Sequence, residues 1–193
     1  MEHQVLVQAP RGRDAEVIAG VLRGHREMTA PVCYLQDTAL TRADAAIRAL
    51  SEQVRGMEAL EAAHHLAALI NKAIVWTTGT TQASTTGAEA LARGTGVCQD
   101  HTHALSSAAR CAGLPARYVS GYLLADGVQE AAHAWTEIHV GGGLGWIGFD
   151  AANACCPDER YIRLATGLDA QEAAPIRGSA RGGGGEVLEV AVA

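Results

Sequence analysis

The chain is poor in aromatic residues and has no long apolar run. Of its 193 residues 4% are aromatic, and Phe149 is the single phenylalanine. Aliphatic side chains and alanine must therefore fill most of the core, and a chain of this length can build one domain around it. No stretch of about 18 uninterrupted apolar residues is present, so we expect no membrane span. Residues 1–13 lack the basic and apolar segments of a secretory leader.

The sequence also lacks a basic patch and a disulfide framework. Its 15 Lys and Arg stand against 21 Asp and Glu, a net charge of -6 that gives no basic footprint for nucleic acid. The five cysteines are an odd number without framework spacing, which favours a reducing, cytoplasmic compartment. They are Cys33, Cys98, Cys111, Cys155 and Cys156. The sequence does not indicate an oligomeric state.

Periodicity predicts helices first and strands afterwards. Thr41 is a plausible N-cap for a helix that carries apolar residues as far as Val54 and stops at Gly56. Further helices are predicted over 58–73, 88–92 and 98–113, and strand-like runs over 116–124, 133–140 and 145–150. Weaker patterns predict strands at 5–7, 74–76 and 186–192 and a helix at 14–23. This order indicates an α+β fold, with the helix from Cys98 packed on an antiparallel sheet.

Cys98 lies in the first turn of a predicted helix, within the sequence GTGVCQD. At that position unpaired backbone N–H groups and the helix dipole favour an anion, and the thiolate is the nucleophilic form of cysteine. The N–H of Cys98 would also point to where an acyl oxyanion develops. Gly94 and Gly96 leave the approach open. A small core cysteine is the structural alternative.

His133 begins one predicted strand, and Asp150 ends the next. Taken singly, the first is typical of a structural histidine and the second of a turn residue. In an antiparallel pair the two positions are neighbours, so the carboxylate can accept from one imidazole nitrogen and leave the other facing a thiol. The order Cys98, His133, Asp150 therefore predicts a nucleophile, its base and an orienting carboxylate.

Four motifs in this order resemble the bacterial transglutaminase-like superfamily. They are residues 94–100 (GTGVCQD), 113–124 (GLPARYVSGYLL), 133–137 (HAWTE) and 145–150 (GWIGFD), and the similarity continues through 158–161. The resemblance implies a papain-like cysteine protease core in which Cys98, His133 and Asp150 form the triad. It further implies amide cleavage or transfer through a thioester, with no metal or other cofactor.

The chain departs from the family pattern in two places. The family usually has Pro-Thr-Asn after its aspartate, whereas Ala151-Ala152-Asn153 follows Asp150 here. Many relatives also carry a β-rich domain before the core. We interpret residues 1–40 as a short N-terminal extension or a remnant of that domain, and 41–193 as the transglutaminase-like catalytic domain.

Other polar and aromatic residues near the motifs have several interpretations. Asp100, His103 and Trp135 are candidates for supporting the site or contacting substrate, although Trp135 is most simply a core residue. A metal site is disfavoured, because His101 and His103 project about 200° apart on a helix and match no usual zinc spacing. Cys111 is predicted to be a core residue, and Cys155-Cys156 to lie in a partly buried loop.

The favoured function is a cysteine-dependent acyl-transfer enzyme acting on amide bonds of a protein or peptide. Water as acceptor would make it a protease or amidase, and an amine would make it a transglutaminase. Hydrolysis is favoured, since no acidic calcium-binding cluster is evident. The alternative is a non-catalytic protein- or peptide-binding module that retains the fold.

Overall fold

A computed structural model describes residues 29–124 and 132–175. After a 3₁₀ helix at Pro31–Leu35, the helices are α1 (Ala45–Glu52), α2 (Ala59–Ala73), α3 (Gly87–Arg93) and α4 (Cys98–Cys111). The strands are β1 (Val75–Trp76), β2 (Thr95–Gly96), β3 (Ala116–Leu123), β4 (Ala132–His139), β5 (Trp146–Phe149) and β6 (Tyr161–Gly167). The elements predicted at 5–7, 14–23 and 186–192 lie outside the described residues. Within the described ranges, no helix has the length and apolar character needed to cross a membrane.

The first helix begins later than predicted, and its N-cap is Asp44 instead of Thr41. The Asp44 carboxylate accepts from the N–H of Ile47 at 2.9 Å, which satisfies a backbone donor that the first helical turn leaves open. Thr41 is buried and accepts from Arg110 at 2.8 Å. The helix ends at Glu52, so Val54 reaches the core from the following turn.

Helix α4 is the central element, and its residues from Asp100 to Arg110 are buried. Its apolar side chains join those of the helices before it and of the sheet in one core, which includes Leu66, Ile70, Leu105, Ala108, Ile138 and Phe149. The prediction that Cys111 is a core residue is wrong: this side chain is exposed. It occupies the last position of the helix, where the chain leaves the core towards the turn at Gly113.

The main sheet is antiparallel with strand order β5-β4-β3-β6. This confirms the α+β prediction and the predicted meander of β3, β4 and β5. Strand β6 was not predicted, and it pairs with β3 on the side away from β4. The two strands approach closely at Gly121, where a Cβ would collide with the carbonyl oxygen of Ile162. Only glycine fits at that position.

A two-stranded parallel sheet holds the chain just before α4. The N–H of Val75 donates to Gly94 at 2.9 Å, and the N–H of Thr77 donates to Gly96 at 2.8 Å. A Cβ on Gly96 would lie 2.6 Å from the Cβ of Asp100, so a side chain there would push the helix away. These contacts set the position at which Cys98 enters α4.

Candidate active site

Cys98 is the first residue of α4 and is partly buried. Its side chain packs against a small cluster formed by Tyr118, Ala134 and Ala173. The N–H of Asp100 donates to the carbonyl of Val97 at 3.0 Å. The N–H groups of Cys98 and Gln99 precede it in the first turn, where a helix offers no acceptor, so they are available to an anion beside the thiol. Asp100 closes the start of the helix, because its carboxylate accepts from the N–H of Val97 at 2.8 Å.

The imidazole of His133 contacts the carboxylate of Asp150. Nε2 lies 2.6 Å from Oδ2, and the two side chains are 10% and 1% exposed. Because a carboxylate only accepts, Nε2 carries the proton of this bond. Nδ1 is thereby left to exchange a proton with a neighbouring group. The structure thus shows the predicted arrangement of the histidine and the aspartate across β4 and the end of β5.

The surroundings of His133 favour its charged form. Burial lowers the pKa of the imidazole, but the hydrogen bonds to Asp150 and Cys98 and the negative charges of both raise it to about 9. Cys98 therefore acts on the same ring that Asp150 holds. A histidine placed in this way is suited to exchange a proton with the neighbouring thiol.

Asp150 is held by donors on both of its oxygens. Oδ1 accepts from the backbone N–H of Ala152 at 3.0 Å and of Asn153 at 3.1 Å. Oδ2 accepts, besides His133, from Nδ2 of Asn153 at 2.7 Å and from the hydroxyl of Tyr161 at 2.8 Å. Burial raises the pKa of the carboxyl group, and these bonds with the charge of His133 outweigh it, so the pKa is lowered.

The turn after Asp150 keeps this arrangement although it lacks the Pro-Thr of the family pattern. Its two backbone donors come from Ala152 and Asn153, neither of which needs a particular side chain for that purpose. The side chain of Asn71, on α2, anchors the turn by donating to the carbonyl of Ala151 at 2.8 Å.

Two aromatic rings pack around the imidazole. Trp135 stacks on His133 with ring centroids 6.4 Å apart, and it is 3% exposed. Tyr161 lies at 5.8 Å from His133 and makes an edge contact with Trp135 at 5.4 Å. The rings limit the orientations that the imidazole can adopt.

The other two predicted support residues lie behind Cys98, within the protein. Both Asp100 and His103 are fully buried. Thr81 donates to Oδ2 of Asp100, while Oδ1 has no hydrogen-bond partner among the described residues. Nε2 of His103 accepts from the N–H of Ala170 at 3.2 Å. Burial lowers the pKa of His103 to about 4, so this ring is neutral at neutral pH.

The structure therefore brings Cys98, His133 and Asp150 to one place, with Trp135 beside them and Asp100 and His103 beneath the nucleophile. Sequence reasoning did not identify the remaining residues that hold Asp150 and its turn, which are Asn71, Asn153 and Tyr161. The Asp-X-X-Asn spacing was a local signal for Asn153. No local signal links Asn71 to this turn, because 80 residues separate it from Ala151.

No cluster of three or more His, Cys, Asp or Glu side chains suited to a metal occurs within residues 29–124 and 132–175. The functional groups that the described residues do assemble are a thiol at a helix N-terminus, an imidazole and a buried carboxylate. In chemical terms this set can transfer a proton from sulfur to nitrogen and expose an acyl oxyanion to backbone N–H groups.

Comparison with known proteins agrees with this geometry. The sequence pattern of the transglutaminase-like superfamily matches residues 48–151, which include all three groups. An uncharacterized protein of Mycobacterium leprae is 32% identical over 166 residues, which are 82% of this chain and 58% of that protein. One of Mycobacterium tuberculosis is 34% identical over 131 residues, 62% of this chain and 41% of that protein. The chain thus spans only about half the length of these relatives.

Two solved structures have a similar fold. A candidate cysteine protease from Cytophaga hutchinsonii superposes with a TM-score of 0.66 and 25% identity, over 77% of this chain and 50% of that one. The periplasmic domain of TgpA from Pseudomonas aeruginosa, bound to ethylmercury, gives 0.50 and 23%, over 63% and 48%. Its likeness concerns the fold alone. With the pattern matched over more than half of its length, this chain belongs to the transglutaminase-like superfamily.

Proposed function

We propose that this protein is a cysteine-dependent acyl-transfer enzyme that acts on amide bonds of a protein or peptide. The observation that carries the proposal is the hydrogen bond of 2.6 Å between His133 and Asp150, on an imidazole whose charged form Cys98 also stabilises. The similarity to a candidate cysteine protease supports the same class of reaction. Cys98 is the proposed nucleophile, His133 the base and acid, and Asp150 the group that orients the imidazole.

The proposed reaction has two halves. The thiol proton of Cys98 passes to Nδ1 of His133, and the sulfur attacks the carbonyl carbon of the amide. Backbone N–H groups at the start of α4 stabilise the oxyanion. When the C–N bond breaks, His133 returns the proton to the leaving nitrogen, and a thioester remains on Cys98. A second acceptor then attacks the thioester and gives up a proton to His133, which restores the thiol.

Water is the acceptor that we favour, which makes the protein a peptidase or amidase and not a cross-linking enzyme. Among the described residues no acidic cluster suited to a metal ion accompanies the site.

The prediction of a cytoplasmic location stays a prediction.

Turnover with matched variants tests this function. The full chain would be incubated with a library of peptides and peptide amides, with and without a primary amine, and the products identified by mass spectrometry. We expect hydrolysis products that disappear in Cys98→Ser and persist in Cys33→Ser, since Cys33 is an exposed cysteine on the 3₁₀ helix. Incorporation of the amine in place of water would identify a transferase.

The non-catalytic alternative has its own outcome in this experiment. A binding module would give neither products nor a thioester at Cys98 with any peptide, while it would still retain a peptide in a binding assay. Equal binding by the wild type and Cys98→Ser, without any turnover, would replace the enzyme proposal with this one.

A further inference from the structure

Tyr161 joins two groups next to the proposed catalytic pair. Its hydroxyl lies 2.8 Å from Oδ2 of Asp150 and 3.3 Å from the sulfur of Cys155. Oδ2 is the same oxygen that accepts the proton of His133. Tyr161 and the imidazole are therefore linked through a single carboxylate oxygen.

The direction of the hydrogen bond follows from the charge of its partners. Burial raises the pKa of Tyr161, and so do the hydrogen bond to Cys155 and the charge of Asp150. The phenol therefore keeps its proton at neutral pH and donates it to the carboxylate. The sulfur of Cys155 lies within hydrogen-bonding distance of the same hydroxyl, and either atom can be the donor of that contact.

The fold holds the hydroxyl in place from two sides. Tyr161 is the first residue of β6 and pairs with Leu123 at the end of β3. Its ring makes the edge contact with Trp135, and Trp135 in turn stacks on His133. A rotation of Tyr161 away from Asp150 would break both the hydrogen bond and this ring contact.

We propose that Tyr161 is a positioning residue that fixes Oδ2 of Asp150 for its hydrogen bond with His133. The inference rests on the proposed function, since it assigns Tyr161 a task only if the Asp150–His133 pair serves Cys98. Without the hydroxyl, the carboxylate keeps the donors of the 151–153 turn but loses the one that approaches from β6. The carboxylate can then turn towards Asn153, and the bond to the imidazole weakens.

The test compares Tyr161→Phe, which removes only the hydroxyl, with Tyr34→Phe as a matched control. Tyr34 packs on Trp146, away from the Asp150–His133 pair. Two readouts are needed in the full chain: the titration of His133 by NMR of ¹⁵N-labelled histidine, and the rate at which iodoacetamide alkylates Cys98 at pH 7. A purely structural tyrosine would change thermal stability without moving the titration.

We expect Tyr161→Phe to lower the titration midpoint of His133 by about one pH unit, a roughly tenfold effect, because a carboxylate that turns away from the imidazole stabilises its charge less. Alkylation of Cys98 should slow by a similar factor, while Tyr34→Phe changes neither value. An unchanged or higher midpoint in Tyr161→Phe, or a fall that appears only in Tyr161→Leu, would overturn the proposal.

A failure of the proposed function looks different in the same experiment. If His133→Ala leaves the alkylation of Cys98 unchanged, the histidine does not act on the thiol, and the proposed function fails irrespective of Tyr161. If His133→Ala slows alkylation and Tyr161→Phe does not, the function stands and the role of Tyr161 is refuted.

Discussion

Two histidines near the nucleophile, the partly buried His133 and the fully buried His103, have opposite electrostatic behaviour. The pKa of His133 is raised to about 9, whereas that of His103 is lowered to about 4. Burial lowers the pKa in both cases. The difference is that His133 contacts a carboxylate at 2.6 Å, while His103 accepts a backbone N–H at 3.2 Å. A directly bonded carboxylate, together with the hydrogen bond and charge of Cys98, thus distinguishes a base that can carry charge from a neutral structural ring.

Replacing the carboxylate of Asp150 should have the largest effect on the difference between the pKa values of His133 and His103. In Asp150→Asn the amide no longer carries the negative charge that stabilises the imidazolium. The hydrogen bond and charge of Cys98 remain but those of Asp150 are lost, so the pKa of His133 should fall from about 9 towards its ordinary value of 6.5. NMR titration of the ring measures this shift. Turnover should decline by a factor of about 10⁴, as when the aspartate of a related triad is replaced.

An unchanged titration of His133 in Asp150→Asn would show that another group supplies the charge. Tyr161→Phe should shift the titration of His133 less than Asp150→Asn does, because it leaves the carboxylate itself in place.

The pH dependence of the free energy of unfolding tests the neutral state of His103. Its pKa is about 4 in the folded protein and 6.5 when unperturbed, so the unfolded chain takes up the proton first as the pH falls. The contribution of neutral His103 to the free energy of unfolding is complete above pH 6.5 and is lost between pH 6.5 and about 4. The loss is on the order of 3 kcal/mol at its limit.

Urea denaturation of the wild type and His103→Gln at pH 7 and pH 4.5 measures this contribution. The amide of the variant would retain an acceptor for the N–H of Ala170 but has no titrating group. The wild type should therefore lose more of its free energy of unfolding than the variant on acidification. Identical losses in the two proteins would contradict the buried, neutral state of His103.

Asp150 and Asp100, the two buried carboxylates near Cys98, differ in their hydrogen bonds, and the effect expected from this difference is smaller. Asp150 has donors on both oxygens, whereas one oxygen of Asp100 is unpartnered among the described residues. Thr81→Val removes the hydroxyl that donates to the other oxygen of Asp100. We expect this change to lower the free energy of unfolding by about 1 to 3 kcal/mol, since the carboxylate stays buried with one donor fewer.

Thr81→Val should leave the titration of His133 unchanged, because Thr81 belongs to the helix-capping contacts and not to the Asp150 pair. Thermal unfolding and the NMR titration together check both parts. A shift of His133 in this variant would mean that the two carboxylates are coupled.

Local patterns predicted α4, β3, β4 and β5, because apolar periodicity and glycine turns specify them within a few residues. The side-by-side placement of His133 and Asp150 followed from the antiparallel pairing of β4 with β5. Strand β6 was missed although residues 161–167 contain aromatic and β-branched side chains and end at a glycine. Nothing in that run alone indicates that it pairs with β3 and not with its neighbours in sequence.

The errors at the ends of helices have a common origin. The choice between Thr41 and Asp44 as N-cap depends on where Arg110 lies, since Thr41 is engaged by that side chain. The exposure of Cys111 depends on where the last turn of α4 leaves the core. Both are set by contacts between distant parts of the chain, as is the bond from Asn71 to Ala151, and no local pattern encodes them.

The central claim is tested most directly by the rate of iodoacetamide labelling at each cysteine, followed by peptide mass spectrometry from pH 5 to pH 10. Three proteins are compared: the wild type, His133→Ala and His103→Gln. We predict that at pH 6 Cys98 reacts faster than the exposed Cys33 and Cys111 in the wild type and His103→Gln, and loses this advantage in His133→Ala. Equal reactivity of all three cysteines in the wild type, or an advantage that survives His133→Ala, would contradict the claim that His133 activates Cys98.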